Sequence, residues 1–193
     1  MKHGIHFDTA ALVIGGTQGL GLAIAKRLVA EGCRHIVIAG RDPVRGEAAA
    51  LQIGASFIAA DLEDTDSILS LVDKAAHRMG RITALVNAGA MTARGSVLDT
   101  TPEAFDRMIS ANLRSPFFAM QRVSQLAIEA GEPAAILNIL SMVTHCGQSF
   151  LAPYSASKAA LANVTKNAAN ALRNHRIRVN GINCGWMDTP GED

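Results

Sequence analysis

The chain has 193 residues, 49% apolar and 18% charged, a composition inside the ordinary globular range that excludes disorder as a global description. Eighteen Lys and Arg against 17 Asp and Glu leave a net charge of +1, and no basic run stands out, so nucleic acid is not an expected partner. The N-terminal residues lack an apolar leader, no apolar run reaches the about 18 residues of a membrane span, and the scattered cysteines Cys33, Cys146 and Cys184 form no CxxC pair; a cytoplasmic protein without membrane contact, disulfide framework or thiolate metal site is expected. At this length about 70% of the unfolded surface can be buried, enough for a single domain over residues 1–193.

The first strand-length apolar run is Ala11–Ile14. Directly after it comes Gly15-Gly16-Thr17-Gln18-Gly19-Leu20-Gly21, spaced GxxxGxG and opening a helix over Leu20–Ala30. Gly15 permits a tight turn, Gly19 lets a pyrophosphate approach the backbone, and Gly21 lets the helix pack on the strand, while the helix N-terminus offers free N–H groups and a positive dipole end. A glycine-rich turn without a ligand is the bland alternative, and the strand-turn-helix context weighs against it. The second run, Ile36–Ala39, leads into Gly40-Arg41-Asp42-Pro43. Gly40 stands where a carboxylate would hold a ribose 2′-hydroxyl, and Arg41 can pair with a 2′-phosphate, which favours NADP with NAD still possible. In the alternative, Arg41 is a solvated loop residue and Asp42 caps a helix that Pro43 opens.

The third run, Phe57–Ala60, is followed by Asp61-Leu62 and by a helix over Thr65–Met79 begun by Asp64 or Thr65. Ala84–Val86 leads to Asn87-Ala88-Gly89, and a long helix over Pro102–Ala130 contains Asn112. Ile136–Leu140 ends at Ser141; a helix over Ala152–Asn174 carries Tyr154, the only tyrosine, with Lys158 at i+4 on the same face; Ile177–Ile182 is the last run. The six runs are nearly continuous in apolar residues, as strands buried on both faces are. Their alternation with helices predicts an α/β fold, a doubly wound parallel sheet with helices on both faces, and places Ser141 at the strand ends where such sheets bind ligands.

The chemistry of the residue types is coherent. A phenol near pKa 10 is a weak base at neutral pH, but a cation about 4 Å away contributes roughly 4 kcal/mol at an effective dielectric of 20, about 3 pKa units. That would bring Tyr154 near working pH as a general acid/base, with Ser141 steadying a substrate oxygen whose charge changes. The bland readings are an ordinary helix pair, a strand-end cap, and for Asn112 a locally satisfied polar residue. The histidines at positions 3, 6, 35, 77, 145 and 175 show no metal-ligand spacing, so no metal is expected, and His145 alone falls near the site. Met91, Thr92, Arg94, Met142, Gln148, Trp186 and Met187 fall where substrate loops would lie, or else serve packing.

The glycine loop, Asp61-Leu62, Asn87-Ala88-Gly89, Asn112, Ser141, Tyr154-xxx-Lys158 and Cys184-Gly185-xxx-Thr189 follow one another in an order that resembles the short-chain dehydrogenase/reductase family over nearly the whole chain. The resemblance implies reversible NAD(P)(H)-dependent oxidation of a secondary alcohol to a ketone, with a small-molecule alcohol or ketone as substrate. It implies that Tyr154 is the general acid/base, that Ser141 bonds the substrate oxygen, that Lys158 holds the nicotinamide ribose and acidifies Tyr154, and that Asn112 supports a proton relay through water. Asp61 and Leu62 would receive the adenine and Thr189 the carboxamide, with Gly15, Thr17, Gln18, Gly19, Leu20, Gly21, Arg41, Asn87, Ala88, Gly89 and Gly185 completing the cofactor set.

Two departures qualify the likeness. Cys184 replaces the usual proline of that turn, and the chain stops at Asp193, so a seventh strand is expected to be missing and the sixth left as an uncovered edge. An epimerase or dehydratase would share the Tyr-xxx-Lys pair but would favour a GxxGxxG loop, and a non-catalytic dinucleotide sensor would have no need of Ser141, Tyr154 and Lys158. Alanine-rich helix faces such as Ala159-Ala160-Leu161-Ala162 predict a homodimer or homotetramer, unless they serve helix propensity alone.

Overall fold

The computed structural model describes residues 5–187. Six strands, β1 (Ala10–Ile14), β2 (His35–Gly40), β3 (Ser56–Ala59), β4 (Ala84–Asn87), β5 (Ala134–Ser141) and β6 (Ile177–Cys184), form one sheet in the order β3-β2-β1-β4-β5-β6. Every neighbouring pair is parallel. Each predicted strand is present, most of them extended past the apolar run because ladder pairing tolerates polar ends such as His35 and Ser141. β3 differs by one residue, starting at Ser56 and stopping at Ala59.

Alternate residues of each inner strand enter opposite cores. Leu12 and Ile14 of β1 join Val37 and Ala39 beneath α3 (Thr65–Met79), α5 (Ser115–Ala130) and α6 (Ala152–Leu172). Ala11 and Val13 join Ile36 and Ile38 beneath α1 (Gly19–Ala30) and α2 (Pro43–Ile53). Burial on both faces is why these strands read as apolar runs. Strand order runs outward from β1 in one direction and from β4 in the other, so the C-terminal ends of β1 and β4 flank the reversal point where open α/β sheets bind ligands.

Helix starts follow their caps. Asp64, of the two candidates, caps α3 by accepting the Asp66 N–H at 2.9 Å, and Asp42 caps α2 by accepting that of Arg45 at 3.1 Å. The expected single helix over Pro102–Ala130 is instead two, α4 (Pro102–Ile109) and α5, joined by a π-helical turn over Ser110–Arg114. Pro116 explains the break, because it has no N–H for the Asn112 carbonyl and its ring would crowd that carbonyl in an α-helix. The wider turn appears as the Ser115 N–H reaching back five residues to the Ser110 carbonyl. The last helix likewise ends at Leu172, short of Asn174, and tightens into a 3₁₀ turn over Arg173–His175. β6 pairs only with β5 among the described residues, and its outer end is open to solvent, with Ile182 half exposed.

Candidate active site

At the reversal point the backbone of β1 turns away from β4 with almost no clearance. Gly15 has φ +79°, and a Cβ there would lie 2.3 Å from the Gly89 nitrogen; one on Gly21 would lie 2.2 Å from the Gly15 carbonyl oxygen. The Ile14 carbonyl accepts both the Ala88 and Gly89 N–H groups at 2.9 Å, tying the loop after β4 to the glycine loop. Gly15 and Gly21 therefore serve close packing of protein on protein. The first turn of α1 holds no acidic residue, and Gln18 at its N-cap makes no capping hydrogen bond. Its N–H groups and dipole thus face the cleft without a competing carboxylate, which suits a pyrophosphate.

A cleft of about 1120 Å³ runs along these strand ends. Gly15, Thr17, Gln18, Gly19, Leu20, Gly21, Arg41, Asp61, Leu62, Ala88, Gly89, Ser141, Tyr154, Lys158 and Gly185 all line it. Asn87 and Asn112 do not: both are buried behind the wall. Asn87 donates to Asn138 at 2.8 Å, and Asn138 donates to Thr165 at 2.9 Å, a polar chain crossing from β4 through β5 to α6. Thr189 lies outside the described residues.

The end beside α2 is charged. Arg41 lies 3.7 Å from Glu63, which is also gripped by Arg107 through bonds of 2.7 and 3.1 Å. Those two cations, Arg107 foremost, hold the Glu63 carboxyl below its ordinary value. Arg45 lines the same end, pairs with Asp42 at 3.5 Å and donates to the Gln18 side chain. The sequence analysis missed Arg45, although its place in the first turn of a Pro43-opened helix directly after Arg41 was a usable signal. Gly40 has a steric reason as well: a Cβ there would come within 2.8 Å of the Thr17 methyl, so a carboxylate at this position would displace Thr17. Asp61 turns one carboxylate oxygen inward to accept the Glu63 N–H at 3.0 Å.

At the other end β5 delivers Ser141, whose hydroxyl accepts the Val143 N–H at 3.4 Å, and α6 delivers Tyr154 and Lys158. Lys158 is 3% exposed; its ammonium donates to the Ile139 carbonyl at 2.8 Å and sits 5.8 Å from the centre of the Tyr154 ring. Burial lowers its pKa to about 8, partly countered by Cys184 on the neighbouring strand. Cys184 pairs with Ser141 in the ladder, and its thiol is pushed up by burial. Asn112 lies in the π turn. Its side-chain oxygen accepts the Met91 N–H at 2.7 Å, and its amide donates to the Met91 carbonyl at 2.9 Å and to the Ser157 hydroxyl at 3.2 Å. It thereby clamps the loop after β4 to the helix of Tyr154 and Lys158. Met91, Thr92, Arg94, Met142, Gln148, Trp186 and Met187 line this end, joined by Cys146 and Phe150, which the sequence analysis did not select. His145 is not on the wall; it meets Asn183 at 3.0 Å. Among the described residues no group of His, Cys, Asp and Glu is placed to hold a metal, and no helix is long and apolar enough to cross a membrane.

A glycine cradle at the reversal point, joined to a serine, tyrosine and buried lysine in one cleft, defines a dinucleotide-dependent oxidoreductase. A model of the short chain dehydrogenases matches residues 9–193. The NADP-dependent (R)-specific alcohol dehydrogenase of Lentilactobacillus kefiri is 37% identical over 186 residues, covering 93% of this chain and 73% of that protein. The galactitol 2-dehydrogenase of Agrobacterium fabrum is 34% identical over 183 residues, covering 94% and 71%. A short chain dehydrogenase of Burkholderia cenocepacia, solved in complex with NADP, superposes with a TM-score of 0.90 at 30% identity, covering 96% of this chain and 77% of that one. The chain belongs to the short-chain dehydrogenase family, and its reaction is the nicotinamide-dependent interconversion of a secondary alcohol and a ketone.

The buried lysine sets a pH dependence. The unfolded chain holds the Lys158 proton up to about pH 10.5 and the folded chain only to about 8, so between these values unfolding takes up a proton and stability rises with pH. Relative to Lys158→Met, the parent protein should gain about 2 kcal/mol between pH 7.5 and 9.5, measured as urea unfolding free energies. A difference that stays constant across that range would place the Lys158 pKa at its ordinary value.

Proposed function

We propose that the chain is a single dinucleotide-binding domain that uses NADP(H) in preference to NAD(H), with Tyr154, Ser141 and Lys158 carrying the proton chemistry. The observation that carries this reading is the convergence of those three side chains with the glycine loop on one cleft. The helix N-terminus would hold the pyrophosphate, the Asp61-Leu62 turn would flank the adenine, and Arg41 with Arg45 would meet a 2′-phosphate. When bound, the nicotinamide supplies or accepts the hydride. The Ser141 hydroxyl donates to the substrate oxygen. Tyr154 gives its phenolic proton to that oxygen in reduction and takes it back in oxidation, and the Lys158 ammonium beside the ring favours the charged form of the phenol. Asn112 acts through geometry, holding Met91 and Ser157. Its carbonyl, deprived by Pro116 of the usual helical donor, is the group through which a water would join a proton relay.

The preference for the phosphorylated cofactor rests on Gly40 and on the two arginines. The Lentilactobacillus kefiri relative is named as NADP-dependent, and the Burkholderia cenocepacia neighbour was solved with NADP. Glu63 tempers the preference, since its carboxylate competes with a phosphate for Arg41. Assembly is supported by the outer side of α4 and α5, which leaves Phe105, Phe117 and Ile128 about two-fifths exposed at 42%, 41% and 41%. A two-fold contact between copies would cover this stripe, and a cytoplasmic homodimer or homotetramer is the form proposed.

Replacing Tyr154 by Phe removes the proton donor while the ring still fills its place. Turnover should fall by at least about 100-fold with cofactor affinity retained, and a loss within about threefold would remove Tyr154 from the mechanism. Arg41→Ala should erode the NADPH over NADH preference by about 1 to 3 kcal/mol, read from the two dissociation constants. Equal affinities in the parent protein would return the assignment to NAD. Light scattering at micromolar concentration should report a dimer or tetramer, and Phe117→Glu should shift it toward monomer; a monomeric parent would show that the stripe has no partner copy.

A further inference from the structure

We infer that the substrate carries an anionic oxygen group, a carboxylate or phosphate ester, and that Arg94 receives it; this deepens the alcohol/ketone reading and rests on it. The charged side chains that line the cleft fall into two sets. Arg41, Asp42, Arg45, Asp61 and Glu63 crowd the end beside α2 and largely compensate one another. At the end with Ser141 and Tyr154 the described wall holds only Lys158, nine-tenths buried and bonded to Ile139, and the exposed Arg94. No carboxylate is paired with Arg94 among the described residues. Its guanidinium lies 5.5 Å from the centre of the Phe150 ring, a contact that engages none of its five N–H donors.

The loop bearing Arg94 is built, not loose. Asn112 grips Met91 on one side of it. On the other, the Gly95 N–H donates to the Phe150 carbonyl and the Ala152 N–H donates to the Gly95 carbonyl, each at 2.9 Å. Gly95 thereby makes a parallel bridge with Leu151, three residues before Tyr154. A Cβ on Gly95 would lie 2.6 Å from the Thr100 hydroxyl, so this close approach requires glycine. The main chain that carries Arg94 is thus held three residues from Tyr154 by two backbone bonds, as a segment that registers the reacting carbon against a distant charge would be. The remaining wall here includes Met142, Phe150 and Trp186, which suit the carbon chain of an oxo or hydroxy acid, with Thr92 and Gln148 beside them to bond further oxygens. The planar guanidinium fork matches a carboxylate or phosphate in two parallel bonds.

The test uses the full chain, NADPH and matched pairs: 3-oxobutanoate and 4-oxopentanoate against their methyl esters, and dihydroxyacetone phosphate against dihydroxyacetone. The anion of at least one pair should be favoured by about tenfold or more in kcat/KM, the advantage should shrink in high salt, and Arg94→Gln should abolish the ratio. The pair that shows it distinguishes carboxylate from phosphate. Trp186, the sole tryptophan, lines the cleft and gives a readout independent of turnover. If no ketone is reduced but an anion quenches Trp186 in the parent and not in Arg94→Gln, the anion site stands and the proposed proton chemistry falls. If ketones are reduced with equal preference, or with a ratio that Arg94→Gln leaves unchanged, the anion site falls and the proton chemistry stands. Neither turnover nor quenching by any of these anions also overturns it.

Discussion

Everything at the site depends on how closely the backbone after β1 approaches the backbone after β4. Gly15 meets Gly89, and the first turn of α1 meets Gly15 through Gly21, at distances that no side chain would permit. One carbonyl, that of Ile14, takes both N–H groups of Ala88 and Gly89. The result is a rigid junction between the two halves of a doubly wound sheet, with an uncapped helix N-terminus aimed across it. A larger residue at either glycine would separate the halves and move the glycine loop away from the strand end that presents Ser141.

The second constraint is burial of charge. An ammonium removed from water is costly unless its donors are met, and Lys158 meets the Ile139 carbonyl at 2.8 Å. That bond and the Asn138 to Thr165 bond grip α6 against adjacent residues of β5, so the helix can neither rotate nor slide without leaving buried polar groups unpaired. Asn112 adds a third fixed point from the π turn. Together these bonds hold Tyr154 near the end of the strand that presents Ser141.

Along the cleft, charge sorts by function. The arginines and carboxylates beside α2 largely compensate one another, and Arg41 and Arg45 both stand on the cleft wall. The opposite end is mostly apolar, with one exposed cation on a stitched loop. A dinucleotide and a small ketone present that same asymmetry, a polyanion at one end and a compact carbon skeleton at the other.

The sequence by itself determined the strand and helix alternation, the glycine loop and the triplet of Ser141, Tyr154 and Lys158, because these are written in local period and spacing: apolar runs for two-sided burial, glycine where a strand turns into a helix, i+4 along one face. It also placed Gly40 and Arg41 at the end of the second strand, where both line the cleft. Tertiary structure decided what depends on distant neighbours. That Asn112 and Asn87 stand behind the wall, that Arg45 joins Arg41, and that Glu63 is shared between two arginines follow from contacts across dozens of residues. The π turn was half legible, since Pro116 was visible in the sequence, but that the Asn112 side chain within it reaches Met91 and Ser157 could be seen only in the fold. Burial of Lys158, and with it a pKa lowered to about 8, arises only when α6 is laid against β5. Spacing fixes which side chains share a face, and only packing fixes what that face meets.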